Sequence, residues 1–122
     1  MKAVQVIPEL TPIFLEVRHG SKRTFLATAK IFHIDASSNY TTIHAEGHPP
    51  VMVAKVLKKY QQLLKGHGFL RINNSILINS NRVHAIQQDG CVIMEDDSRF
   101  YPSRRRRVEL KKLFLVNAQP GC

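Results

Sequence analysis

Tryptophan is absent, and cysteine occurs only as Cys91 and Cys122, with no CxxC pair. A disulfide framework is therefore excluded as the basis of the fold, and a reduced cytoplasm is the expected compartment. No apolar run approaches the ~20 residues that span a bilayer, and the apolar part of Met1–Pro8 is too short for a signal peptide. Acidic residues number only nine, and Glu95-Asp96-Asp97 falls at an expected hairpin tip, where solvated turn charge explains it. A glycine-rich phosphate loop, an HExxH pair and a nucleophile elbow are all missing. His44 and His48 stand four apart, but on a strand followed by Gly-His-Pro-Pro, which does not make a helical ligand pair. Neither enzyme chemistry nor a metal or other cofactor is expected.

Basic residues are what the chain has in excess. Eighteen Lys and Arg against nine Asp and Glu give a net charge of +9, so a polyanionic partner is favoured. The charge is densest at Ser103-Arg104-Arg105-Arg106-Arg107, which opens a helical pattern running through Leu110, Leu113 and Phe114. Ser103 reads as the N-cap. At 100° per residue Arg104 and Arg105 project opposite the leucine face, while Arg106 and Arg107 border it. Four arginines in a first turn oppose the helix dipole, and Glu109 is the sole carboxylate near enough in sequence to pair with them. An external polyanion accounts for their placement.

Elsewhere the periodicity is mostly that of strands. A hairpin is expected over Ile13–Thr28 around a basic turn, then strands over Lys30–Asp35, Tyr40–Ala45 and Val51–Val53, with Glu46–Pro50 as a turn. Ala54–Lys65 switches to the helical i, i+3/i+4 pattern, with Val56, Leu57, Tyr60, Leu63 and Leu64 on the apolar face. Phe69–Asn79 is apolar but interrupted by Asn73-Asn74-Ser75. Strands around Asp89-Gly90 follow. This gives a mainly β domain over 13–115, of nine or ten short strands and two short helices, with 1–12 as a leader or linker stub and 116–122 as a tail. Asn73-Asn74 has two readings left open: a turn in which both side chains satisfy local backbone, or a contact to adenine N6 and N7. The two helices are too far apart in sequence to form a helix-turn-helix.

Three blocks carry a resemblance. Ile34–His44 is similar to an I-E-A-x-x-N-Y-x-x-I segment, Phe69–Asn79 to F-x-R-I-H-R-S-Y-L-V-N, and Tyr101–Arg106 to I-P-V-S-R-R shortened by one residue. In that order they resemble the LytTR family of bacterial transcription regulators over about 31–115. The resemblance implies an elongated arrangement of three small antiparallel sheets. It also implies loops and a helix start inserted into successive major grooves, with bending of the DNA. Carried over by position, the DNA-binding residues are Asn39, Tyr40 and Thr41; then Arg71, Asn73, Asn74 and Ser75; then Arg104 and Arg105. Asn73-Asn74 departs from the usual His-Arg, which removes a cation at that point. The implied partner is double-stranded DNA carrying promoter repeats, bound with DNA-dependent homodimerisation and without a membrane. The receiver domain or sensor kinase of a two-component system is expected to be missing or on another chain. The competing expectation is a basic β module that docks an acidic protein or anionic surface through the same arginines.

Overall fold

The computed structural model describes residues 13–117, with side chains described as far as Lys112. Among the described residues there are ten strands and two α-helices, as the patterning predicts, with short 3-10 turns at Thr28–Lys30 and Ser80–Arg82. The strands form three antiparallel sheets of two, five and three strands. Among the described residues, no helix is long and apolar enough to cross a membrane.

β1 (Phe14–His19) and β2 (Lys22–Ala27) make the first hairpin. Its two-residue turn places Gly20 at φ +65°, the sign that type II′ geometry requires at the first central position. Leu15, Val17 and Leu26 face inward, whereas Phe14 and Phe25 are exposed. The central sheet runs in the order β5-β4-β3-β7-β6, from β3 (Ile31–Ser37), β4 (Tyr40–Ala45), β5 (His48–Val53), β6 (Phe69–Arg71) and β7 (Ile76–Asn79). The stretch expected as a turn at Glu46–Pro50 is instead mostly strand: the turn is Glu46-Gly47, and Pro49 and Pro50 lie within β5. β5 is an edge strand, so their missing N–H groups cost no ladder bond on the open side.

α1 (Leu57–Leu63) is shorter than its periodicity suggests. Leu57, Tyr60 and Leu64 are buried, but Val56 sits at the helix N-cap and, like Leu63, is exposed. β8 (Val83–Ile86), β9 (Val92–Met94) and β10 (Arg99–Phe100) form the third sheet, and α2 (Arg104–Asn117) closes the domain. Leu113 and Phe114, expected on the apolar face of α2, fall among the residues whose side chains are outside the described set. Leu110, on the same face, is buried.

β7 explains why this segment reads as one apolar run. Its four residues are all buried, because both of its faces are covered. Leu77 joins Ile34, Ile43, Leu57, Tyr60 and the hairpin residues in one core, while Ile76 and Ile78 join Ile72, Val92, Met94 and Leu110 in a second. The strand ends in Asn79, itself buried. Its amide donates to the carbonyls of Ile31 (3.0 Å) and Thr28 (3.3 Å), and its oxygen accepts from the Asn81 backbone N–H (3.0 Å). Asn79, which matches the family block, thus satisfies buried backbone.

Leu77→Ala is expected to destabilise the domain by about 2–5 kcal/mol, through lost burial and a residual cavity. Phe14→Ala, at an exposed position, should fall within about 0.5 kcal/mol of neutral. Urea unfolding midpoints at unchanged slope measure both, and equal losses would contradict the assignment of the two sites to core and surface.

Candidate nucleic-acid interface

α2 begins as the sequence predicts. The Ser103 carbonyl accepts from the Arg107 N–H (2.9 Å), and its Oγ accepts from the Arg106 N–H (3.4 Å), the geometry of an N-cap. The helix start is anchored from below. The Ser103 N–H donates to the Ile72 carbonyl (2.8 Å), and the Asn73 side-chain amide donates to the Tyr101 carbonyl (2.9 Å). Pro102 between them is buried.

The loop beneath α2 joins β6 to β7, and one guanidinium reaches three points around it. Arg71 donates through Nε to the Asn73 carbonyl (3.1 Å), through Nη2 to the Asn74 carbonyl (2.6 Å) and through Nη1 to Gln61 Oε1 on α1 (3.1 Å). Asn73 Oδ1 accepts from the Ser75 N–H (2.8 Å), closing an Asx turn. Of the two readings open for the paired asparagines, Asn73 therefore follows the turn reading. Arg71 is a loop clamp with most of its donors engaged. Asn74 differs: Arg71 holds its carbonyl, and its exposed side-chain amide lies outside that clamp.

Above the loop, the arginine run divides by exposure. Arg104 and Arg105 are exposed, and Arg106 and Arg107 are half-buried. Arg106 pairs with Glu109 at 3.0 Å. Arg107 lies over the β8–β9 loop, where Gly90 leaves room for it: a Cβ at Gly90 would stand 2.7 Å from the Arg107 Nε. Among the described residues no carboxylate comes within 4.0 Å of Arg104 or Arg105. Arg71, Gln61, Asn73 and Asn74 on one side and Ser103 to Arg106 on the other line an open cleft of about 720 Å³. Tyr101, also exposed, donates its hydroxyl to Asp89 (3.3 Å), and that carboxylate raises the phenol above its ordinary range.

The third predicted segment is the β3–β4 turn. It adjoins the same loop, because the Ala36 N–H donates to the Ser75 carbonyl (2.8 Å) just before the turn begins. Ser38 adopts φ +54°, and Asn39 and Tyr40 are exposed. Thr41 does not share that exposure. It is 1% exposed, since β4 alternates and sends Thr41, Ile43 and Ala45 inward. Gln61 gave no signal in the sequence as a cleft residue. Its role depends on α1 packing against β6, which no local spacing encodes. The same applies to a cluster away from the cleft, where His44 meets His33 and Asp35 rather than His48.

No match was found among curated proteins. Among solved structures, a chain described as the LytTr DNA-binding domain of a methyl-accepting/DNA response regulator from Bacillus cereus superposes with a TM-score of 0.70 at 20% identity, covering 83% of this chain and 95% of that one. At that identity the likeness establishes the fold. The sequence pattern of the LytTr DNA-binding domain matches residues 21–115, most of the chain, so the protein belongs to the LytTR family of DNA-binding domains.

Proposed function

We propose that this domain binds double-stranded DNA sequence-specifically to regulate transcription, and that Arg105 and Asn74 make its base contacts in the major groove, with Arg104, Ser75, Asn39 and Tyr40 beside them. The observation that carries this is the pairing, across one cleft, of two exposed arginines that have no carboxylate partner among the described residues and an exposed asparagine amide. Arginine can bind guanine O6 and N7 in a bidentate manner, and asparagine adenine N6 and N7. The helix dipole adds to the positive field at the same point, and the net charge of +9 supplies a general attraction to phosphate. Arg71 and Asn73, engaged with backbone, position the loop, and buried Thr41 packs beneath the turn. The same reading places the domain in the bacterial cytoplasm as the output module of a two-component response regulator. In this reading two copies act on paired promoter repeats.

Selection from a random duplex pool should return a repeated motif. Binding to it should weaken steeply with salt, at about −0.9 in log K per log salt for each phosphate contact. A flat salt dependence, or anionic vesicles or acidic peptides outcompeting the selected duplex, would overturn the proposal in favour of a different polyanion. Arg105→Ala should cost ~1–3 kcal/mol on the selected site and little on random DNA, whereas Lys59→Ala, on the exposed side of α1, should shift both slightly.

Arg71→Ala separates a clamp from a phosphate contact. A clamp predicts weaker specific binding at an unchanged salt slope, with faster amide exchange at Ser75 and Ser103. A slope shallower by about 0.9 with exchange unaltered would make Arg71 a direct phosphate ligand.

A further inference from the structure

A second polar cluster lies on the face of the central sheet that meets β10. His33 on β3 and His44 on β4 are direct cross-strand partners, and Asp35 is two residues from His33, so all three side chains share one face. Their donor atoms lie within 4.8 Å of one another. His44 Nε2 is 2.8 Å from Asp35 Oδ2, and His33 Nδ1 is 3.8 Å from the same oxygen.

His33 is the informative member. Its ring is 3% exposed, stacks on His44 (centroids 4.3 Å apart) and meets Phe100 edge-on. Nε2 contacts Asp96 Oδ2 at 3.2 Å and Ser98 Oγ at 3.0 Å, while Nδ1 is buried with no hydrogen-bond partner. With the ring proton on Nε2 and donated to Asp96, Nδ1 keeps its lone pair 3.8 Å from the Asp35 carboxylate. Two electron-rich atoms then stand 3.8 Å apart. A metal ion bound to both relieves their repulsion, as a proton on Nδ1 also would, whereas the His44–Asp35 hydrogen bond does not. A carboxylate behind a ligating histidine is also how metal sites fix the tautomer and orientation of that ring.

We propose that His33 Nδ1, Asp35 Oδ2 and His44 Nε2 bind a divalent transition metal of borderline softness, Zn(II) foremost, with Asp96 as the carboxylate that orients His33. Two imidazole nitrogens and one carboxylate oxygen suit Zn(II), Co(II) or Ni(II), and disfavour Mg(II) and Ca(II), which take oxygen sets. Tetrahedral ligands at ~2.0–2.2 Å stand about 3.3–3.5 Å apart, and the observed separations of 2.8 and 3.8 Å bracket that edge. Asp35 and His44 keep 29% and 27% side-chain exposure, which gives the ion an entry path and an open fourth position. Asp35 and Asp96 also form a local pair of carboxylates within a chain of net charge +9. An ion here would join β3 to β4 at the base of the turn that carries Asn39 and Tyr40.

The test is titration of the chelator-treated full chain with Zn(II) against a chromogenic competitor, and with Co(II) followed by its visible d–d absorption. The expected result is one ion per chain, with intense bands of low-coordinate Co(II) and no competition from excess Mg(II). Asp35→Asn and His44→Gln, both at part-exposed positions and checked for folding by circular dichroism, should each abolish saturable binding. Asp96→Asn, outside the ligand set, should weaken binding by about 10–100-fold. His84→Gln, at an exposed histidine on β8, should change nothing. Absence of a saturable site in the unaltered chain, octahedral-type Co(II) spectra, equal competition by Mg(II), or binding indifferent to Asp35 and His44 would each overturn the proposal. The Co(II) spectrum of the unaltered chain decides even if a variant fails to fold.

Discussion

The seam between Ile72 and Ser103 governs where this domain can hold its positive charge. α2 opens with four arginines at the end of a helix that already carries partial positive charge, an arrangement costing roughly 0.3–1 kcal/mol per cation at the surface. Against that stand the Ser103–Ile72 and Asn73–Tyr101 hydrogen bonds, the Ser103 cap and the burial of Leu110. Each hydrogen bond contributes on the order of 1 kcal/mol, the cap about as much, and a buried leucine ~1.5–3 kcal/mol. The anchoring outweighs the repulsion. The first turn therefore stays folded while Arg104 and Arg105 remain exposed, with no carboxylate within 4.0 Å among the described residues.

The seam in turn depends on β7. Two successive faces of one four-residue strand belong to different cores, with Leu77 in one and Ile76 and Ile78 in the other. A slip of one residue would exchange those faces and misplace every apolar contact, so the register of β7 against β3 and β6 is strongly specified. That register sets where the loop after Arg71 meets both the end of β3 and the linker into α2. The asparagine loop is thereby joined by backbone hydrogen bonds both to the end of β3, beside the β3–β4 turn, and to the helix start.

Much of this is legible in the sequence, wherever the signal is local. The Ser103 cap, the split of the arginines by helical angle, the hairpin around Gly20 and the hairpin around Asp89-Gly90 all rest on neighbours a few residues apart. What the sequence conceals is commitment across the fold. Thr41, on the strand expected over Tyr40–Ala45, counts as a DNA contact by resemblance until the pairing of β3 with β4 fixes its direction inward. Pro49 and Pro50 look like a turn until β5 is known to be an edge. Arg71 reads as another basic contact until α1 brings Gln61 to it, and His33 draws no notice until β10 and the Asp96 turn cover it.

Cation count is therefore a poor guide to which residues meet a partner; the better measure is how many donors remain after folding. Arginine has five N–H donors. Arg82 directs three of its nitrogens to the Ala29 carbonyl, Glu95 and Glu46 while stacking on Phe32, so it ties the third sheet to the β4–β5 turn. Arg71 closes its loop in the same way, Arg107 lies along the Gly90 backbone, and Arg106 is shared with Glu109. Arg104 and Arg105 have none of these engagements among the described residues. Removing an engaged arginine disturbs the frame, so a loss of binding there mixes folding with recognition. Removing Arg105 leaves the frame intact, so any loss confined to one DNA sequence reports on recognition itself.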